Sequence, residues 1–234
     1  CFCTSARLDN IRKKLAAKKK TIKYDRHCLR LSKEKVQSQM NTEQHVIRMR
    51  VPDDGEVIFY DAIRDKVSIK CGELDDQVLI KSDGYPTYHF ANVVDDHLMD
   101  ITHVIRGEEW LSSTPKHVLL YEFFNWDLPK FIHLPLLLNQ DKSKLSKRQG
   151  DVAVEDYLKK GFLPDAIINY VALLGWHPKN ENEFFTLDEL KNEFSIKNIQ
   201  KSGAVFDIKK LEWMNNHYMK IMDLTTIAKL AKPF

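Results

Sequence analysis

The sequence contains no apolar run approaching the roughly 20 residues that a membrane-spanning helix requires. It shows no secretory signal pattern, no internal repeat and no low-complexity segment. These absences exclude a bilayer-embedded helical protein and a repeat array. Cysteine is scarce: four residues in 234 do not make a disulfide framework, which points to a reducing, cytoplasmic setting. The first residue is Cys1 and not methionine, so a fragment or processed product is expected. What is present is a 43% hydrophobic chain, enough for a well-buried core or two domains. Net charge is only +3 but unevenly spread, because residues 1–35 hold twelve Lys/Arg against three Asp/Glu. That basic lobe suits a polyanion such as RNA, and it equally suits a solvated lysine-rich helix.

Local patterns place the elements. Thr4 can cap a helix running to about Lys20, with Leu8, Ile11 and Leu15 on one face. His45–Val51 and Val57–Tyr60 read as strands around a Pro52–Gly55 turn, and Ile63–Ile69 continues the sheet. Gln77–Lys81 is a short strand, Thr87–Leu98 a helix, Ile101–Ile105 a buried strand, and Ser113/Thr114 before Pro115 starts a helix to Phe124. Leu134–Leu138 reads as a further strand. Helices follow: Pro164 to Gly175, a capping box at Thr186 and Glu189, and Ile208–Tyr218 capped by Asp207. The expected division is a basic α+β lobe over 1–82, an α/β nucleotide-binding half over 83–140 and a helical domain over 141–234.

Two stretches carry chemistry. Tyr88 and Asn92 are four apart on the expected helix and share a face, and Arg106 follows the Ile101–Ile105 strand. A phenol, an amide and a guanidinium suit an amino acid with an extra carboxylate, which arginine grips with two prongs. Spacing alone is explained as well by a packed helix face and a surface arginine. Glu109 and Trp110 come next, a carboxylate able to accept from a hydroxyl and an indole able to cover a base. Farther on, Lys144-Leu145-Ser146-Lys147-Arg148 is a basic loop whose ammonium groups suit a triphosphate.

Asp83–Trp110 and the Lys144–Arg148 loop together resemble the second half of the catalytic domain of bacterial-type glutamyl-tRNA synthetases, the loop being that family's form of the "KMSKS" motif. The resemblance runs from Cys1 to Phe234, and Lys201–Asn215 matches the end of the family's stem-contact helical domain. It implies the second half of a class I Rossmann-like fold, an inserted acceptor-binding lobe and a helical domain. It implies that Tyr88, Asn92 and Arg106 line the glutamate pocket, and that Glu109, Trp110 and Leu137 border the adenosine of ATP. Lys147 would neutralise charge on the ATP phosphates, with Lys144 and Ser146 holding the loop or touching phosphate. ATP with Mg²⁺, glutamate and glutamate tRNA are the implied substrates and partners, with no membrane and a monomer at full length.

Cys1-x-Cys3 and Cys28 supply three soft ligands where zinc takes four. Some members of that family carry a zinc finger ending in Cys-x-His, and here Arg30 stands in the histidine position, so zinc is left open. Tyr24 reads as a poor fourth ligand, and Cys71 as a lone buried thiol. His89, His97, His103, His117 and His133 are expected at core edges or on the surface. No His-x-Gly-His motif occurs, so the isolated chain is expected to be inactive or nearly so. The resemblance implies that the full-length protein is a glutamate–tRNA ligase. The rivals are the paralogue that glutamylates a modified anticodon base and a non-catalytic RNA-binding fragment.

Overall fold

The computed structural model describes residues 1–145 and 153–232. They fall into two units. The first comprises residues 1–61, 65–104 and 111–131; the second comprises residues 62–64, 105–110 and 132 onward.

The first unit opens with α1 (Ser5–Ala17), whose Thr4 hydroxyl accepts from the Arg7 amide as a cap. Leu8, Ile11 and Leu15 form its half-covered face, and no residue of it is buried. A second helix, α2 (Lys33–Thr42), capped by Ser32, stands where no element was expected. Its polar sequence has little apolar periodicity to reveal it. The expected His45–Val51 strand shrinks to β1 (Ile47–Arg48), which a register irregularity interrupts. The hairpin of β2 (Glu56–Asp61) and β3 (Asp65–Lys70) pairs antiparallel from Glu56↔Lys70 to Asp61↔Asp65. Strict alternation along β2 buries Val57 and Phe59 and exposes Ile58 and Tyr60. β4 (Val78–Ile80) pairs antiparallel with β1. It leads into α3 (Tyr88–Leu98), whose preceding Thr87 donates its hydroxyl to the Val78 carbonyl at 2.8 Å.

The next strand is β5 (His103–Gly107), two residues later than the pattern suggested. It is not a buried strand: it closes one edge of the four-stranded sheet, and Ile105 is 57% exposed. α4 (Thr114–Phe124) is buried over Val118, Leu119, Leu120 and Tyr121 in succession, as a core helix must be. These residues pack with Val93 of α3 and with Val57, Phe59 and Phe131, each fully buried large side chain worth about 1.5–3 kcal/mol. The Phe59 and Phe131 rings meet edge to face at 5.6 Å. Asn125 ends α4 in the left-handed region, turning Trp126 back to stack on His97 at 3.9 Å.

The expected Leu134–Leu138 strand is two strands. β6 (Lys130–Leu134) belongs to the four-stranded sheet, ordered β3-β2-β6-β5 with β2 and β6 parallel. β7 (Leu137–Leu138) pairs in parallel with β8 (Ala204–Val205), on the other side of a Pro135 break. A side chain at Gly203 would come within 2.8 Å of Leu138, so its bare α-carbon lets the two chains close.

The rest of the second unit is helical, as expected: α5 (Val154–Lys159), α6 (Pro164–Gly175), α7 (Leu187–Glu193), α8 (Ile208–Ile221) and α9 (Leu224–Ala231). The Thr186–Glu189 capping box and the Asp207 cap both form. α6 and α8 share a core of Ile167, Tyr170, Leu174, Leu211 and Met214. Asn169, fully buried, satisfies its amide by donating to the Glu183 carbonyl at 3.0 Å and accepting from the Phe185 amide at 2.6 Å. No helix among the described residues is long and apolar enough to cross a membrane.

Candidate active site and cysteine cluster

Tyr88 and Asn92 lie one turn apart at the start of α3, in the first unit, so the shared face expected of them exists. Tyr88 is about half exposed, and its ring meets that of His89 edge to face at 5.8 Å. His89 Nδ1 lies 3.0 Å from Nε2 of His117, which is 1% exposed. His117 is therefore a core residue and not a surface one, because α4 is buried on the side that bears it. The Asn92 Oδ1 is buried and has no hydrogen-bond partner among the described residues. A buried amide oxygen left unpaired costs about 1–3 kcal/mol, which a ligand N–H would recover.

Arg106, Glu109, Trp110, Leu137 and Lys144 belong to the second unit. Arg106 lies inside β5, one residue before its end, and its Nε donates to His133 Nε2 at 3.2 Å. His133 is wholly buried in β6, deeper than the core-edge or surface position expected of it. Its accepting nitrogen must be unprotonated, so the ring fixes the guanidinium by position and not by charge. The guanidinium carbon also lies 5.9 Å from the Trp110 ring centroid, a cation–π distance. Sequence reasoning missed His133; the available signal was one imidazole inside the otherwise apolar Phe131–Leu138 stretch.

A single 3₁₀ turn, Glu108–Trp110, follows the strand directly. Glu108 pairs with Arg64, another residue the sequence did not single out. Glu109 bends back, and its carboxyl is held below the usual carboxylate range, chiefly by its own backbone amide and then by Lys144, against the effect of burial. Lys144 Nζ lies 3.2 Å from Glu109 Oε1. A tight turn aims that lysine. The Asn139 amide donates to the Ser143 carbonyl at 2.8 Å, Leu145 donates to Leu137 at 2.9 Å, and Lys142 adopts φ +64°. Leu137, 39% exposed on β7, offers apolar surface. Ser146, Lys147 and Arg148 lie outside the described residues.

A second cluster forms in the first unit. The sulfurs of Cys1, Cys3 and Cys28 all lie within 4.8 Å of one another, with Cys3 and Cys28 at 3.6 Å. Two thiolates on one tetrahedral zinc, each about 2.3 Å from it, sit about 3.8 Å apart, so the spacing fits the metal. The Tyr24 hydroxyl, discounted at sequence level, is 3.6 Å from Cys3 Sγ and accepts the Cys28 amide at 2.9 Å. Arg30, in the histidine position, lies in the 3₁₀ turn His27–Arg30, outside the cluster. Burial pushes the Cys3 thiol up. Cys28 is lowered: burial opposes this, but the Tyr24 hydroxyl, the Phe2 amide and the Cys3 thiol outweigh it. The lobe is braced by Arg26, which grips the buried Asp76 at 2.7 and 2.8 Å, and by Arg7, which grips Asp25 at 2.5 and 3.1 Å. Cys71 is buried and free, as expected.

The end of β5 thus brings together a carboxylate, an indole, a guanidinium and the Lys144 ammonium group. The chain matches the profile of the family described as "tRNA synthetases class I (E and Q), catalytic domain" over residues 1–213, and it belongs to that family. Within the family, it is 55% identical over its whole length to the Glutamate–tRNA ligase of Clostridioides difficile (strain 630), and 54% identical to that of Alkaliphilus metalliredigens (strain QYMF). It covers 48% of each, so it spans about half the length of the curated relatives it matches. The crystal structure of glutamate-tRNA synthetase from Elizabethkingia anophelis superposes with a TM-score of 0.90 at 40% identity, over 98% of this chain and 52% of that one. A glutamate tRNA ligase from Elizabethkingia meningosepticum, in complex with its amino acid, superposes at 0.87 with 41% identity, over 95% of this chain and 49% of that one.

Proposed function

We propose that the complete protein is a glutamate–tRNA ligase of the cytoplasm. It joins glutamate to ATP as glutamyl-adenylate with release of pyrophosphate, then transfers the glutamyl group to the terminal adenosine of tRNA. The observation that carries this reading is the identity of more than half, over the entire chain, with relatives of that name. In this reading Arg106, braced by His133, grips the glutamate side-chain carboxylate. Tyr88 supplies a hydroxyl, and the unpaired Asn92 Oδ1 supplies an acceptor for the substrate's ammonium group. Glu109 accepts a ribose hydroxyl, while Trp110 and Leu137 cover the adenosine.

The α-carboxylate of glutamate attacks the α-phosphorus as the bond to pyrophosphate breaks. Lys147, with Lys144 and Ser146, meets the charge that collects on the phosphates. Mg²⁺ would supply further charge neutralisation. Cys1, Cys3 and Cys28 would hold a structural zinc ion that staples the lobe, with the Tyr24 hydroxyl as the nearest candidate for a fourth donor. The functional division is then an acceptor-binding lobe over 1–82, a nucleotide half over 83–140 and a stem-contact part over 141–234. Lys13, Lys14, Lys18, Lys19, Lys20 and Lys23, in and after the end of α1, would meet tRNA phosphates.

The test is glutamate-dependent ATP–pyrophosphate exchange on the full-length protein, with and without tRNA, comparing wild type with Lys147→Ala. Exchange that needs glutamate and falls by about 10²–10³ in the variant supports the reading. No exchange under either condition overturns it.

A further inference from the structure

Gly107 ends β5 two residues before Glu109. A β-carbon built on it would run into Glu109 Oε2 and lie 2.8 Å from Cδ. The Glu109 carboxylate thus lies directly over the bare α-carbon of Gly107, filling the space where any other residue would place its side chain. Among the described residues it also meets its own backbone amide and Lys144 Nζ, at 3.2 Å from Oε1. Gly107 does not have a positive φ, so a left-handed backbone is not the reason for glycine there.

We propose that Gly107 is a positioning residue, whose missing side chain lets the Glu109 carboxylate fold back over the strand end and face the start of the basic loop at Lys144. Resting on the ligase reading above, this makes glycine at 107 a condition for ribose recognition by Glu109. It also makes the Glu109–Lys144 pair a tether on Lys144 before nucleotide arrives. ATP, by taking Glu109 with its ribose, would release Lys144 toward the phosphates. The obstacle to a side chain at 107 is the mobile end of a glutamate, not backbone, so Gly107→Ala displaces the carboxylate without breaking the fold.

The test uses the full-length protein and two readouts. The first needs no substrate: acetylation of Lys144 by an N-hydroxysuccinimide ester, followed by mass spectrometry, with Lys159 and Lys197 as internal references. Gly107→Ala should raise Lys144 labelling about two- to fivefold, the scale of an exposed ion pair. Glu109→Gln, which keeps the shape but loses the charge, should raise it similarly. If Glu109→Gln raises labelling and Gly107→Ala does not, the positioning role is overturned. If neither raises it, the tether is overturned as well. The second readout is ATP–pyrophosphate exchange. Gly107→Ala should raise KM for ATP about tenfold while leaving KM for glutamate within twofold, a split that general loosening of the site would not produce. Equal rises in both overturn the proposal. Raised labelling in a protein whose wild type shows no exchange would uphold the positioning and overturn the ligase reading alone.

Discussion

Removing the carboxylate of Asp76 should open the cysteine-bearing lobe more than removal of any exposed charge around it. Asp76 is 5% exposed, with Oδ2 taking Arg26 Nε at 2.7 Å and Oδ1 taking both Arg26 at 2.8 Å and the Val51 amide at 2.9 Å. Breaking a buried ion pair by deleting one partner costs about 3–5 kcal/mol, because the other charge stays behind uncompensated. Two facts reduce that figure here. The Arg26 side chain is 27% exposed, and it keeps Asp53 and the Val51 carbonyl as partners. The orphaned Val51 amide adds back about 1–3 kcal/mol. Asp76→Ala should therefore cost about 3 kcal/mol, roughly a hundredfold in the opening equilibrium. Asp53→Ala, whose carboxylate is 66% exposed, should cost less than about 1 kcal/mol. Native-state hydrogen exchange of peptides spanning 47–60 and 70–80 measures the opening locally, which matters in a two-unit chain. Equal protection in the two variants would refute the argument that this pair organises the lobe.

Three further outcomes are expected. Protein prepared under reducing conditions with zinc should hold one equivalent, and Cys28→Ala or Tyr24→Phe should lower its affinity, more for the thiol; metal analysis finding none in wild type would exclude the staple. His133→Ala should raise KM for glutamate about tenfold through loss of the Arg106 brace, with KM for ATP little changed; an unchanged KM for glutamate would contradict the brace. Asp25 is held below its ordinary value chiefly by the Arg7 guanidinium. Its stabilising effect is thus fully present above the unfolded value of about 3.9 and is lost as pH falls through the lowered folded value. Arg7→Gln should flatten lobe stability across that acid window, and a pH profile identical to wild type would rule this linkage out.

Local signals announced much of the fold, and the reasons are visible residue by residue. Thr4, Thr186 with Glu189, and Asp207 act through hydrogen bonds to amides two or three residues away, so their helix starts are written in short windows. Alternation along β2 and the apolar stretch of α4 are likewise local consequences of burial. α2 was not legible because Val36 and Met40 are its only apolar residues, too few to set a period. The Leu134–Leu138 stretch was misread because Pro135, the local sign of a break, was passed over, and because the strand that pairs with Leu137–Leu138, Ala204–Val205, lies more than sixty residues away.

The candidate site divides in the same way. Residue types and spacing made Tyr88, Asn92, Arg106, Glu109, Trp110 and Lys144 chemically suitable, and the resemblance to the family singled them out as candidates, because chemistry limits which side chains can grip a carboxylate or a phosphate. The sequence likewise determined the basic lobe and the Cys-x-Cys pair. Only the tertiary structure decided that the Tyr24 hydroxyl lies beside Cys3, that buried His133 braces Arg106, and that the Glu109 carboxylate rests over Gly107 against Lys144. Each of the first two joins residues more than twenty positions apart, and the third depends on how a turn folds back on its own strand. Such distances are set by the packing of whole elements, which no window of sequence contains.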